Sequence, residues 1–205
     1  MAQVTQGVRA ILSHPVIYSF FQRIMGANQV RTMFVKDFVR PHTGVSILDM
    51  GCGPADILDH VTEADYWGFD VSEAYIEQAK KRYGHRGKFY CQQLMASDIE
   101  KIPPFDIVLA MGLLHHLDDK TVVNVMRLAY EALKPGGRLL TLDPCLEVGQ
   151  NPIARFLIRV DRGKNLRSRV EYVTLASTVF TSPRVEVRHK SWIPYTHCFM
   201  ECIRS

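Results

Sequence analysis

An α/β fold built on a mostly parallel sheet is what this chain predicts, and three observations predict it. Helix-like and strand-like segments alternate along most of the 205 residues, the order that crossover connections between parallel strands require. The composition, 47% hydrophobic and 22% charged, is that of an ordinary globule, which excludes disorder and a collagen-like fibre. The last two strand-like segments follow one another with no helix between them, so the sheet should end in an antiparallel pair.

The elements follow in order. Residues 14 to 40 read as helix: Val16, Phe20 and Ile24, then Val30, Phe34 and Phe38, recur at intervals of four, with Gly26-Ala27-Asn28 as a break between two helices. Ser46 to Asp49 is a short buried strand and Tyr66 to Asp70 a second, and Pro54 to Val61 between them reads as helix. Ser72 caps the next helix, with Glu73 in its first turn, Lys80, Lys81 and Arg82 in its last, and Gly84 as its stop. Lys88 to Gln92 and Phe105 to Ala110 are strands three and four. Asp118 or Asp119 caps an amphipathic helix whose stripe is Val122, Val125, Met126, Ala129 and Leu133. Pro135-Gly136-Gly137 turns the chain into strand five, Arg138 to Leu142. Asn151-Pro152 starts a helix with Ile153, Phe156, Leu157 and Val160 as its buried stripe. Arg184 to Arg188 and Thr196 to Cys202 complete seven strands.

With a mass of 23.4 kDa and no internal repeat, low-complexity tract or linker, residues 1–205 read as a single domain. No run of about eighteen apolar residues exists, so no membrane span is expected. MAQVTQGVRAILSHPV is too polar for a secretory signal, and its one Arg makes a weak transit peptide. The five cysteines are odd in number and none forms C-x-x-C, which points to reduced thiols and a cytoplasmic location, with neither a disulfide framework nor a zinc knuckle. A net charge of +4 is too small to imply a nucleic-acid partner.

The chemistry concentrates in ILDMGCGP, residues 47 to 54. A buried strand ends in an acid, and two glycines follow at alternate positions before a helical segment. Such a turn lets a ligand lie against bare backbone N–H groups. A dinucleotide fingerprint would place a third glycine where Asp56 stands, and an acid there would repel a pyrophosphate. No Gly-Lys-Ser/Thr follows, so a phosphate-cradling P-loop is excluded too. The turn suits a phosphate-free ligand, and the carboxylate of Asp49 a cationic one. Asp70, at the end of strand two and 17 residues after Gly53, can accept from both hydroxyls of a ribose.

At these residues the chain resembles the class I S-adenosylmethionine-dependent methyltransferases, over roughly residues 28 to 202. ILDMGCGP looks like the family's first motif and YWGFDVS like its ribose-binding second. FDIVLAMGLLHHLDD (105 to 119) and LKPGGRLLTLD (133 to 143) are similar to its fourth- and fifth-strand motifs. The resemblance implies a three-layer Rossmann-like sandwich with a seven-stranded sheet and S-adenosyl-L-methionine as cofactor. It divides the chain into a helical cap or lid (1–43), a cofactor-binding core (44–145), an acceptor-recognition helix and loop (146–183) and terminal strands (184–205). By similarity, Asp49, Gly51 and Gly53 surround the methionine part of the cofactor and Asp70 holds the ribose. Val71 flanks the adenine, and Met111 and Gly112 face the sulfonium. Ala55 stands where the family often has glycine. The acid that commonly follows strand three aligns with Gln93, beside Leu94, or with Asp98 after a small loop shift.

His115, just past strand four, is the candidate general base, or else a residue of the turn hydrogen-bonded to backbone. The fourth strand ends in Met111-Gly112-Leu113, without the Asp/Asn-Pro-Pro-aromatic of nucleic-acid amino-methylating enzymes and without the acid of metal-dependent catechol-type enzymes. A small-molecule acceptor, methylated on oxygen or nitrogen without nucleic acid or metal, is therefore expected. Arg155 and Arg159, four apart and followed by Arg162, Lys164, Arg167 and Arg169, form either an anion-binding face for that acceptor or a solvated basic surface. Arg31 can approach the cofactor carboxylate, and Tyr18 and Phe21 either line an acceptor pocket or pack in the core. Two other readings remain, a non-catalytic cofactor-binding partner subunit and a nicotinamide-dependent oxidoreductase; Asp56 weighs against the second.

Overall fold

The structure, a computed structural model, describes residues 27–160, 164–190 and 195–205. Val45–Met50 (β1) is buried along its whole length, which is why VSILDM shows no alternation of apolar and polar residues. It pairs in parallel with Ala64–Asp70 (β2) on one side and Phe105–Met111 (β4) on the other. Gly87–Cys91 (β3) extends the sheet beyond β2, and Leu133–Leu146 (β5) beyond β4, again in parallel. Tyr195–Ile203 (β8) then runs antiparallel to β5, and Arg184–Lys190 (β7) antiparallel to β8 at the edge. The order is β3-β2-β1-β4-β5-β8-β7, with a two-residue β6, Arg167–Ser168, paired to Cys145 and Leu146 off this path. The sheet thus counts eight strands against seven read from the sequence, because a two-residue strand carries no hydrophobic pattern.

Successive residues of the central strands feed opposite faces. Ile47, Leu109, Leu140 and Phe199 pack on one face with Val30 and Phe34 of α1 (Ala27–Phe34) and Ile76 and Tyr83 of α2 (Glu73–Tyr83). Leu48, Val108, Leu139 and Met200 pack on the other with Val122, Met126 and Ala129 of α4 (Asp119–Ala132) and Tyr172 of α6 (Arg169–Ala176). These three layers are the sandwich expected. The caps follow the residues read for them: Ser72 accepts from Tyr75 N–H at 3.4 Å, and Asp118, not Asp119, accepts from Thr121 N–H at 2.8 Å. Among the described residues no helix is long and apolar enough to cross a membrane.

Three local readings need correction. The helix expected over Pro54 to Val61 shrinks to a 3₁₀ turn, Asp56–Asp59, because Ala55 sits in the left-handed region with φ +57° and breaks the run. Strand five begins at Leu133, ahead of the Pro-Gly-Gly turn, with a register irregularity opposite Phe105 and Ile107. In α5 (Pro152–Val160) the buried positions are Ala154 and Ile158, which face β5 and β8, while Ile153 and Phe156 are 60% and 63% exposed. This helix has apolar residues on more than one side, and small Ala154 permits the closest approach to the sheet. Residues 1–26 of the expected helical cap (1–43) lie outside the described residues.

Because β1 to β5 are parallel, the C-terminal ends of β1, β2, β4 and β5 share one edge. The strand order reverses between β1 and β4, the place where open α/β sheets leave a crevice.

Candidate active site

The turn after β1 is built by glycine. Gly51 and Gly53 have φ of +76° and +54°, conformations that L side chains rarely adopt. The N–H groups of Gly51 and Cys52 donate to Phe69 O at 2.8 and 3.1 Å, folding the turn back over β2. A Cβ on Gly51 would lie 3.0 Å from Leu113 Cδ1, whereas one on Gly53 would meet nothing within 4 Å. Gly53 therefore leaves space open at the turn.

Asp70 ties this turn to the next. Its Oδ2 accepts from Gly53 N–H at 3.0 Å and its Oδ1 from Ser72 N–H at 2.8 Å. An ionised carboxylate offers about four lone-pair sites, so about two remain for a ligand. Asp70 lines a cavity of about 450 Å³. Phe69, Leu94, Leu113, Val125 and Leu128 give it apolar walls, and Asp70, Gln92, Gln93, Asp118 and Thr121 give it polar groups.

Of the residues singled out from the sequence, Gly51, Asp70, Val71, Gln93 and Leu94 line this cavity together. Gly53 joins them through its bond to Asp70. Gln93, not Asp98, is the residue after β3 that reaches it; Asp98 instead accepts from Met95 N–H at 2.8 Å and caps its own short helix, α3 (Ala96–Ile99). Met111, Gly112 and His115 stand at the end of β4 and in the turn beyond it, outside the cavity lining. Arg155 and Arg159 are exposed on α5 and do not line the cavity. Tyr18 and Phe21 lie outside the described residues.

Asp49 differs from the expected ligand contact. Met50 lines the cavity, so the preceding side chain points to the opposite face of the sheet, where Asp49 is buried against Tyr66. Its Oδ2 accepts from the Tyr66 hydroxyl at 2.7 Å, and its Oδ1 has no hydrogen-bond partner among the described residues. Burial is the main cause that lifts its pKa from 3.8 to about 7; the charge of Asp70 adds to the rise, while the Tyr66 bond and Arg31 oppose it. Arg31 does not stand free for a ligand carboxylate, because it pairs with Asp56 at 3.3 Å. Arg82 reaches Asp56 as well, at 3.0 Å. The acid in the place of a third glycine is thus paired with two arginines.

The turn after β4 is held from two sides. Gly112, with φ +62°, donates its N–H to Leu142 O at 2.7 Å. His115 is buried, and Asp143 Oδ1 accepts both its backbone N–H at 3.1 Å and its ring Nδ1 at 2.8 Å. The His116 ring, 4.0 Å away, lines the cavity. From the other side Arg167 donates to Leu114 O, Leu117 O, Asn165 O and the Asp119 carboxylate at 2.7–3.2 Å. Arg167 is therefore a buried clamp and not part of the basic surface in which its sequence neighbours placed it. Asn165 completes the link, donating its N–H to His115 O at 3.1 Å while lining the cavity. The sequence reading missed Asp143, Arg167 and Asn165. For Asp143 a sign was present, since in the sequence it closes a run of apolar residues as Asp49 and Asp70 do.

Residues 47–137 match the family model of the methyltransferase domain. The chain is 26% identical over 124 residues to a ubiquinone biosynthesis O-methyltransferase of Idiomarina loihiensis, covering 58% of this chain and 50% of that protein. It is 31% identical over 105 residues to the mRNA cap guanine-N(7) methyltransferase of Schizosaccharomyces pombe, covering 43% of this chain and 29% of that one. The chain thus spans about half the length, or less, of these curated relatives. Among solved structures, the S-adenosylmethionine-dependent methyltransferase SibL superposes with a TM-score of 0.70 at 19% identity, over 100% of this chain and 62% of SibL.

Proposed function

We propose that this chain is a class I S-adenosylmethionine-dependent methyltransferase that transfers the methyl group of that cofactor to oxygen or nitrogen of a small-molecule acceptor. The observation that carries the reading is the Asp70 carboxylate, fixed by Gly53 and Ser72 at the mouth of an apolar-walled cavity.

The residues present fit the cofactor. Asp70 keeps lone pairs for the two hydroxyls of a ribose, Gln93 offers an amide to the edge of an adenine, and Leu94, Leu113 and Val71 supply surface for its faces. Gly51 and Gly53 keep side chains away from the methionine part, with Asp49 as a buried charge nearby. When bound, S-adenosylmethionine supplies a methyl group already activated on a sulfonium for in-line displacement. What remains for the protein is to orient the acceptor, exclude water and take a proton. Met111 and Gly112 form the mouth of β4, and His115 lies behind them: a Cβ built on Gly112 would sit 3.8 Å from His115 Cε1. We assign His115 as the proton acceptor and Arg155 and Arg159 as contacts for an anionic group on the acceptor. The five free cysteines accord with a reducing, cytoplasmic setting.

The direct test is Asp70→Ala, titrated calorimetrically with S-adenosylmethionine and S-adenosylhomocysteine. Affinity should fall roughly 10- to 150-fold, about 1.5–3 kcal/mol, for lost bonds to a charged acceptor. Unchanged affinity, or a wild type that prefers NAD, would overturn the reading. Joint replacement of Arg155 and Arg159 by alanine should raise KM for an anionic acceptor and leave cofactor affinity alone. A KM that does not move would make α5 a solvated basic face.

A further inference from the structure

We propose that α5 and the turn before it form a docking surface for an anionic lipid bilayer, in which Ile153 and Phe156 enter the interface and Arg155 and Arg159 meet lipid phosphates. The inference goes beyond the methyl-transfer reading and adds one condition to it: the acceptor whose anionic group the two arginines contact would be one held in that surface.

The geometry of α5 sets the face. Ala154 and Ile158, four residues apart, are buried against the sheet and fix the inward side. Phe156 lies midway between them in sequence, about 200° around the helix from each, and so points away from the protein. Ile153 and Arg159 stand three residues on either side of it and share the outward face. Both large apolar side chains, Ile153 and Phe156, are more exposed than buried, in a nine-residue helix that carries two arginines and no acid. The turn leading into α5 adds Val148, wholly exposed. Val170 is 67% exposed beside it. β6 pairs Ser168 with Leu146, and Arg169 Nε lies 3.8 Å from Glu147 Oε1, so residues 169 and 170 run alongside residues 147 and 148.

Chemistry selects the partner. Apolar side chains grouped in water mark a surface that an apolar medium would cover with a gain in free energy. Glu147, the acid of the turn, is already paired with Arg169. A second copy docked through the same face by a two-fold axis would put the arginines of both copies into one interface, a like-charge contact that no acid on α5 relieves. A bilayer rich in anionic lipid offers hydrocarbon to Ile153 and Phe156 and phosphates to the arginines. It suits both at one depth, because long basic side chains reach back to the headgroups. Nine residues are far too few to cross the hydrocarbon core, so α5 would lie in the interface. Past the helix the basic character continues with Lys164, exposed on the segment that leads to Arg167.

The test sediments the full chain with vesicles of phosphatidylcholine alone and with vesicles of phosphatidylcholine and phosphatidylglycerol. The chain should bind the mixed vesicles more tightly than the neutral ones, and the difference should shrink as salt rises. Phe156→Gln should lower affinity for the mixed vesicles about 10-fold or more, and Arg155→Ala about 5-fold. Unchanged affinity for S-adenosylhomocysteine shows that each variant keeps its fold. Equal binding to the two kinds of vesicle, or binding to neither, overturns the proposal. So does a loss confined to Arg155→Ala, which would reduce the contact to adsorption of charge. A wild-type dimer that Phe156→Gln converts to monomer would give the face to a second copy and overturn it as well. Failure to bind vesicles, with a soluble anionic acceptor still methylated, overturns the docking surface and leaves the methyl-transfer reading standing. Vesicle binding without transfer to any acceptor overturns that reading and leaves the docking surface.

Discussion

Replacing His115 by alanine should lower kcat by about 10²-fold or more and leave the dissociation constant for S-adenosylhomocysteine nearly unchanged. The split follows from placement. His115 does not line the cavity in which Asp70, Gln93 and Leu94 converge, so the cofactor loses no contact. The turn that carries the histidine survives its loss, because Arg167 grips Leu114 O and Leu117 O without using the imidazole. His115→Gln fills the space left in this buried position and separates a packing effect from a proton-transfer effect. Both variants should lose turnover. Single-turnover methyl transfer measured alongside calorimetry checks the claim, and near-normal turnover in either variant would leave positioning alone as the means of catalysis.

Replacing Asp49 by asparagine should change the pH dependence of both stability and cofactor binding. Burial raises this carboxyl from 3.8 to about 7 in the folded chain. Between these values the folded state binds more protons than the unfolded one, so this group lowers stability as pH rises from about 4 to about 7. A neutral amide in its place carries no such penalty. At pH 8 the variant should therefore gain stability relative to wild type by an amount of order a few kcal/mol, and near pH 4 that difference should close. Cofactor binding responds in the other sense: a cationic ligand near the end of β1 favours the ionised carboxyl. Wild-type affinity should then climb as pH rises through about 7, with proton release visible as a buffer-dependent heat, and the variant's affinity should stay flat across that range. Denaturant melts and calorimetry at pH 5, 7 and 8 decide it. A wild-type curve as flat as the variant's would mean that Asp49 does not sense the cofactor.

Much of the molecule was legible because its signals are local. Ser72 and Asp118 cap because a side-chain oxygen next to a free backbone N–H is a short-range matter, and the glycines after β1 mark a turn that side chains would obstruct. Asp70 and Gln93 could be read as cavity residues because a parallel sheet puts all strand ends on one edge. What escaped depends on contacts distant in sequence. Asp143 meets His115 only because β4 and β5 pair, 28 residues apart in the chain. Arg167 looked like one more charge in a basic stretch, since a charge pattern says nothing about burial. The face of α5 was misjudged because large apolar residues outnumber Ala154, although the small residue is the one that lets the helix approach the sheet. The helix expected after Gly53 failed at a single backbone conformation, that of Ala55.

The grip of Arg167 on the turn after β4 has a wider consequence. Asn165 and Arg167 hold this turn through an N–H and a guanidinium bound to main-chain oxygens, so variation in α5 does not have to disturb the turn that carries His115. Descendants of this chain can exchange the exposed surface of α5 while inheriting the turn after β4 intact, which would let the acceptor range proposed for the first and the chemistry proposed for the second diverge at separate rates.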